Sequence, residues 1–179
     1  RPTFSDEWAA AVQYVVDEAT ACDCTTRVDA AGNIHLRPAR LDPRRPVWIS
    51  GSHVDSVPHG GDYDGVLGVV APLEVLRAAQ EDGRPPPPLE LVIFAEEEGT
   101  TFGLGMLGSR TWTGTLDAPQ LAAVRNRQGQ TYLEAGKPYG VVPERFADDR
   151  LRPADYLGMI ELHIEQGPAM WKREEPVAL

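Results

Sequence analysis

Six side chains of the kinds that bind metal ions occur in three short stretches of this sequence. They are His53, Asp55, Asp64, Glu97, Glu98 and His163. Each stretch lies beside a run of apolar residues that indicates a buried strand, and α/β proteins place their sites in the loops after such strands. Imidazoles and carboxylates without thiolates suit zinc, manganese or cobalt. The pattern therefore predicts a metal-dependent hydrolase.

The stretch GSHVDSVP places His53 and Asp55 two positions apart. On an extended backbone such residues share a face, about 6.5–7 Å apart along the strand. His53 could bind a metal through its neutral imidazole while Asp55 accepts a hydrogen bond from the other ring nitrogen and fixes the tautomer. The alternative is an ordinary polar loop. We expect His35 and His59 to take no part.

Asp64 precedes a predicted helix, where a carboxylate has two possible roles. It could cap the helix by accepting a hydrogen bond from a backbone N–H of the first turn. Alternatively, its two oxygens could bridge two cations. The neighbouring Gly60, Gly61 and Gly65 allow the backbone to turn tightly around such a site. Both roles for Asp64 remain open at this stage.

Glu97 and Glu98 follow a predicted strand directly. On a continuing strand, adjacent side chains point to opposite sides, so both can face one site only if the chain turns after Ala95. Glu96 extends the run to a triplet and leaves the register of the pair open. A solvated acidic run is the alternative to a functional pair.

His163 lies in a predicted strand that covers residues 157–164. Alternation along the strand places it on the same face as Glu161 and Glu165. It is a candidate metal ligand, and the alternative is a buried histidine whose hydrogen bonds are satisfied. Gln166, just beyond the strand, is a candidate contact for a substrate.

A scaffold of alternating strands and helices is predicted to position these residues. The predicted elements are a helix capped by Ser5, strands at 25–29, 33–37 and 47–50, a helix at 64–82, a strand at 89–95, a short helix from Leu104 and a strand at 157–164. This alternation predicts an α/β domain with helix–sheet–helix layers. A length of 179 residues suits a single core.

The net charge of −10 argues against nucleic acid and anionic membranes as partners. No apolar run in the sequence approaches the roughly 20 residues of a membrane-spanning helix. The two cysteines, Cys22 and Cys24, do not form a usual zinc pair, and nothing about them requires an oxidising compartment. We therefore expect a cytoplasmic protein without nucleic-acid or membrane partners.

Three stretches, GSHVDSVPHGGDYDG, EEEGTTFGLGMLGSR and ELHIEQGP, resemble the amidase/hydantoinase/carbamoylase group of the co-catalytic zinc metallopeptidase superfamily. That group includes N-carbamoyl-L-amino acid hydrolases, allantoate amidohydrolases and β-ureidopropionases. The resemblance runs from about Ser5 to the end of the chain. It implies a zinc-peptidase-like catalytic domain that hydrolyses a linear, non-peptide C–N bond in a small amide or ureido substrate. It also implies two divalent metal ions, zinc first, with manganese, cobalt or nickel as alternatives.

The resemblance further implies roles for individual residues. Glu97 would be the general base that takes a proton from the attacking water, and Asp55 would support the His53 ligand. The metal ligands that it implies are His53, Asp64, Glu98 and His163. One ion would be held by His53, Asp64 and His163, and the other by Asp64, Glu98 and a further histidine not found in this sequence. A different pairing of Glu98 and His163 with the two ions remains open.

The domain organisation of the group implies an incomplete catalytic domain here. Residues 1–175 would be its N-terminal part, and residues 176–179 would begin a hinge to a lid that also mediates dimerisation. The remainder of the catalytic domain, which follows the lid in that group, would be absent. The lid would be absent as well, so the expected partner is a second copy that binds through that absent lid as a homodimer, or a complementary chain. Two alternative functions are an aminopeptidase or dipeptidase of the same superfamily and a non-catalytic split or truncated subunit.

Overall fold

A mixed five-stranded sheet forms the centre of the computed structural model, which describes residues 1–178. Its strands are β1 (Cys24–Val28), β2 (Ile34–Pro38), β3 (Val47–His53), β4 (Leu89–Phe94) and β5 (Tyr156–Ile160). Their order across the sheet is β1-β2-β4-β3-β5. β2 pairs antiparallel with β1 and with β4, whereas β3 pairs parallel with β4 and with β5.

The helices lie between and after these strands. They are α1 (Asp6–Ala21), α2 (Val66–Glu81), α3 (Leu107–Trp112), α4 (Ala118–Ala123), α5 (Tyr132–Gly136) and α6 (Ala169–Arg173), with single 3-10 turns at Lys137–Tyr139, Pro143–Arg145 and Pro153–Asp155. Ser5 caps α1 as predicted, because its hydroxyl accepts a hydrogen bond from the Trp8 backbone N–H at 3.2 Å.

The sheet is covered on both faces. One face packs against α1 and α2 in a cluster that includes Trp8, Val15, Leu36, Val69, Leu73, Leu91 and Ile93. The other face packs against α3, whose Trp112 forms a buried cluster with Ile49, Val92 and Phe94. This arrangement confirms the predicted α/β class and its helix–sheet–helix layers.

The predicted strand over residues 157–164 is too long, since β5 ends at Ile160. The last residue pair between β3 and β5 joins Ser50 to Ile160, so the chain leaves the sheet at that point. The Ser52 hydroxyl, two residues further along β3, donates a hydrogen bond to the Glu161 carboxylate at 2.6 Å instead. His163 therefore lies in the segment after the strand, and strand alternation does not set its direction.

The predicted short helix from Leu104 begins three residues later, at Leu107. Met106, immediately before it, has a φ of 58°, which is a left-handed conformation incompatible with a continuing right-handed helix. The loop before α3 is therefore longer than predicted.

β5 lies at the edge of the sheet, and Leu157, Met159 and Ile160 on this strand are exposed. The predicted hinge at 176–179 ends in Leu179, which lies outside the described residues. Within residues 1–178, no helix is both long enough and apolar enough to pass through a membrane.

His35 is buried in the middle of β2 between two carboxylates. Its Nδ1 is 2.7 Å from Glu90 Oε1, and its Nε2 is 3.1 Å from Asp29 Oδ2. Both ring nitrogens donate hydrogen bonds to carboxylates only when the ring is an imidazolium. Burial acts to lower the pKa of His35, but the hydrogen bonds to Asp29 and Glu90 hold it above its ordinary value.

We expect His35→Gln to lower the free energy of unfolding by about 3–5 kcal/mol at about pH 6, and by less at about pH 9. A histidine with a raised folded-state pKa contributes stability that is fully present below its unfolded pKa of about 6.5. That contribution is lost as the pH rises through the folded-state pKa. Urea unfolding of both proteins across this range checks the prediction. A difference that stays constant with pH would contradict an ionised His35.

Candidate metal centre

The candidate ligands meet at the carboxyl ends of the three parallel strands. His53 is the last residue of β3, whereas Glu97 and Glu98 follow β4 and His163 follows β5. Ligand atoms of His53, Asp64 and His163 lie within 4.8 Å of one another. The same holds for ligand atoms of His53, Glu97 and Glu98. The structure thus brings every predicted ligand together at the carboxyl end of the parallel strands, and His53 belongs to both groups.

His53 is fully buried, and a backbone carbonyl fixes its orientation. Its Nδ1 donates a hydrogen bond to the main-chain oxygen of Asp55 at 2.9 Å, whereas the Asp55 carboxylate is 3.6 Å away. Because a carbonyl only accepts, Nδ1 carries the proton and Nε2 presents its lone pair to the site. The predicted role of the Asp55 carboxylate in fixing the tautomer therefore falls to the backbone of the same residue.

The carboxylate of Asp55 instead holds the backbone of a neighbouring candidate ligand. Its Oδ2 accepts a hydrogen bond from the Glu98 backbone N–H at 3.1 Å. Asp55 is fully buried, and this burial raises the pKa of its carboxyl group. Asp55 therefore links the loop after β3 to the loop after β4.

His163 is oriented in the same way as His53. Its Nδ1 donates a hydrogen bond to the Ile164 carbonyl at 2.9 Å, so its Nε2 also presents a lone pair. That Nε2 is 3.5 Å from Asp64 Oδ1. The rings of His163 and His53 stack with their centroids 5.8 Å apart. Two imidazole lone pairs and one carboxylate thus lie close together.

The structure contradicts a helix-capping role for Asp64. Gly65 is the N-cap of α2, and no side chain makes a capping hydrogen bond there. The Asp64 side chain is turned into the site, where its Oδ1 accepts a hydrogen bond from Gln166 Nε2 at 2.8 Å. Gln166, the candidate substrate contact, is therefore bound to a candidate ligand.

The glutamate triplet turns sharply after β4. Glu96 adopts a φ of 51°, and its Oε1 accepts hydrogen bonds from the backbone N–H groups of Thr101 and Phe102, both at 2.8 Å. The fully buried Glu96 carboxylate thereby stabilises the following loop. Of the three glutamates, Glu97 and Glu98 are the two that lie beside His53, as the predicted turn requires.

The carboxylates are crowded, and their pKa values reflect this. Burial raises the pKa of Glu97, and the nearby Asp55 and Glu161 raise it further. Burial and the neighbouring Asp64 carboxylate raise the pKa of Glu98 to about 7. Charge repulsion of this kind is relieved when a cation binds between the groups.

Two buried atoms of the candidate metal ligands make no hydrogen bond within the described part of the chain. They are His53 Nε2 and Glu98 Oε1. Buried polar atoms almost always have a partner, so orphaned atoms at a site require an explanation. A divalent cation would satisfy both atoms, and imidazole and carboxylate are suitable donors for it. The residues present therefore fit a metal ion.

Gly65 adopts the tight turn expected of it, and the structure adds a close approach to His53 that the sequence alone does not reveal. Its φ is 68°, and a Cβ built on it would lie 2.5 Å from Cε1 and Nδ1 of His53. Any side chain at this position would therefore push the imidazole out of place. Gly61, in the same loop, has a φ of 77°, but a Cβ placed on it would have no atom within 4 Å.

We expect Gly65→Ala to lower the free energy of unfolding by about 1–3 kcal/mol more than Gly61→Ala. Both substitutions carry a similar strain of about 1–2 kcal/mol from the left-handed backbone, but only the first also collides with His53. Denaturant unfolding of the two variants measures the difference. Equal losses would show that the ring moves aside without strain.

Comparisons with known proteins agree with this architecture. The sequence model of peptidase family M28 matches residues 33–132. A ureidoglycolate hydrolase of Arabidopsis thaliana is 34% identical over 95% of this chain and 37% of its own length. An N-carbamoyl-L-amino acid amidohydrolase of Geobacillus stearothermophilus is 40% identical over 84% of this chain and 37% of its own length.

A solved structure is also similar. The amidase of the hydantoinase/carbamoylase family from Burkholderia multivorans has a TM-score of 0.83 and 33% identity, over 97% of this chain and 42% of its own. The chain thus spans about two fifths of the length of the relatives that it matches. The family match covers more than half of the chain, and the resemblance to hydantoinase/carbamoylase amidases is confirmed. The chain belongs to peptidase family M28.

Proposed function

We propose that the chain is the N-terminal part of the catalytic domain of a dinuclear-metal amidohydrolase. Its reaction would be hydrolysis of a linear C–N bond in an N-carbamoyl-L-amino acid, allantoate or a related ureido compound. One observation carries the proposal. The free Nε2 atoms of His53 and His163 converge on Asp64, directly beside Glu97 and Glu98.

His53, Asp64 and His163 would hold one ion. Asp64 and Glu98 would hold the second, together with a ligand from outside this chain. Zinc suits this donor set, and manganese, cobalt and nickel are also compatible with it. When bound, such ions polarise a substrate carbonyl and lower the pKa of water to around 7.

Glu97 would be the general base. Its side chain is about one-third exposed at 34%, so water and substrate can reach it, and its Oε2 lies 3.4 Å from His53 Nε2. Burial raises its pKa above the ordinary value of a glutamate, which makes its carboxylate a better proton acceptor. Glu97 would take a proton from the attacking water and deliver it to the leaving nitrogen as the C–N bond breaks.

The proposed substrate class rests on the names of the relatives. Ureidoglycolate and N-carbamoyl-L-amino acids share a ureido group, in which a carbonyl carbon is bonded to two nitrogens. Gln166 would contact such a substrate through its side-chain amide after releasing Asp64. A substrate with a free terminal amide fits this contact, because an amide both donates and accepts hydrogen bonds.

The metal content of the chain, purified without chelator and measured by mass spectrometry, tests the proposal. We expect about two ions per chain, and loss of metal in Glu98→Ala and His163→Ala. Hydrolysis of N-carbamoyl-L-amino acids compared with dipeptides then separates an amidohydrolase from an aminopeptidase or dipeptidase. A wild-type chain without bound metal would contradict the proposal for this chain alone.

A second candidate function is a non-catalytic or complementing subunit, and the exposed edge of the sheet favours it. Leu157, Met159 and Ile160 on β5 are exposed, and contiguous apolar surface of this kind usually binds a partner. The lid and dimer interface that the resemblance implies would then lie on the partner segment. Adding the C-terminal part of the Geobacillus relative and following molecular mass by light scattering would reveal such an association.

A further inference from the structure

Asn33 lies just before β2 and is fully buried, although no role was predicted for it. Its Nδ2 donates hydrogen bonds to Asp29 Oδ2 at 2.8 Å and to the Gly108 carbonyl at 3.1 Å. Its Oδ1 accepts a hydrogen bond from the Ala95 backbone N–H at 3.1 Å. Every polar atom of the side chain is therefore used.

Two of these partners flank the segment that carries Glu97 and Glu98, which we call the glutamate loop (residues 96–107, ending with the first residue of α3). Ala95 precedes this loop and Gly108 follows it. The Gly108 backbone N–H donates to the Ala95 carbonyl at 2.9 Å, and the next two inward pairs are Leu107 to Glu96 at 3.0 Å and Met106 to Glu97 at 2.8 Å. The Asn33 side chain thus spans the base of the loop and binds both ends.

The fit at the base of the loop is tight. A Cβ built on Gly108 would lie 2.1 Å from Asn33 Oδ1, so no larger residue fits there while Asn33 keeps its place. The backbone of Asn33 is also fixed, because its N–H donates a hydrogen bond to Asp29 Oδ1 at 2.9 Å. The amide therefore has one available position.

We propose that Asn33 is the positioning residue that fixes the glutamate loop and thereby aims Glu97 and Glu98 at the metal centre. The inference rests on the proposed function for the roles of those two glutamates. Asn33 touches neither of them and acts through the backbone of Ala95 and Gly108. Supporting groups around a metal site contribute to affinity in this way, because they restrict where the ligands can lie.

Asn126 provides a matched control. Its Oδ1 accepts hydrogen bonds from the backbone N–H groups of Gln128 and Gln130 at 3.1 and 2.9 Å, so it also organises a turn through its amide. Its side chain makes these contacts within its own turn and not with the glutamate loop. Asn126→Ala therefore shows what the loss of a turn-forming asparagine does when that residue does not contact the glutamate loop.

Hydrogen–deuterium exchange on the metal-free chain tests the inference without relying on metal or activity. We expect Asn33→Ala to speed exchange of the backbone amides of residues 96–107 by about tenfold or more, while α1 keeps its wild-type rates. Asn33→Asp keeps the acceptor for Ala95 but loses the donor to Gly108 and to Asp29, whose carboxylate it would then repel. It should show the same pattern. Asn126→Ala should leave the glutamate loop unchanged.

Zinc affinity, measured by competition with a chromophoric chelator, is the second readout. We expect it to fall about 10- to 100-fold in both Asn33 variants and to stay at the wild-type value in Asn126→Ala. The inference would be overturned if the Asn33 variants exchanged the amides of the glutamate loop at wild-type rates. It would also be overturned if the wild type bound zinc and the variants bound it equally well. Exchange that is faster throughout the chain, or unfolding, in both variants would overturn it too. If the wild-type chain did not bind zinc, the proposed function would be refuted instead. The exchange rates of the glutamate loop alone would then show whether Asn33 positions that loop.

Discussion

We expect His53→Ala to lower zinc affinity by more than about 100-fold relative to the wild type. In the proposed ligand set His53 would bind one ion together with Asp64 and His163, and the other position depends on a ligand from outside this chain. Loss of a supporting residue outside the ligand set already lowers affinity about 10- to 100-fold, and loss of a direct ligand should exceed that. Metal content and chelator competition measure the effect.

His59→Ala is the matched control, since it removes an exposed imidazole from the same loop. It should keep the wild-type metal content. If His53→Ala kept its metal as well, the buried and unpartnered Nε2 would need another explanation, and the ions would have to bind through His163 and the carboxylates.

Much of the scaffold could be predicted because its signals are local. The Ser5 cap, the apolar run of β4 and the proline segment after α2 each act on neighbouring residues, and each fixed one boundary closely. The predicted strand at 47–50 is too short, since β3 continues to His53, so the same kind of signal placed His53 near the end of the strand but not within it. Local signals of this kind predict where helices and strands begin and end, but they do not predict which side-chain atoms come into contact.

The remaining features depend on contacts between distant segments. β5 ends early because Ser52 binds Glu161, a pairing across 109 positions that no local pattern reveals. Asp55 acts on His53 through its carbonyl, and the choice between carbonyl and carboxylate depends on the backbone path of the loop. Asn33 could not be predicted because its partners Ala95 and Gly108 carry no distinctive side chain.

The two adjacent glutamates are expected to behave differently when each is replaced by glutamine. Glu97→Gln should lower kcat by about 10²- to 10⁴-fold while metal content stays at the wild-type value, because glutamine cannot accept the proton from water. Glu98→Gln should instead lower metal content. Rates are measured on N-carbamoyl-L-amino acids, with the chain alone or together with a complementary segment.

Glu161→Gln controls for the loss of a nearby charge, since Glu161 also raises the pKa of Glu97 but binds the Ser52 hydroxyl. It should change kcat by less than about tenfold. The informative alternative is loss of metal in Glu97→Gln. The group of His53, Glu97 and Glu98 would then be a true ligand set, and the proton acceptor would have to be a different residue. Measuring metal content and rate on the same preparations therefore separates the base from the ligand at two adjacent positions.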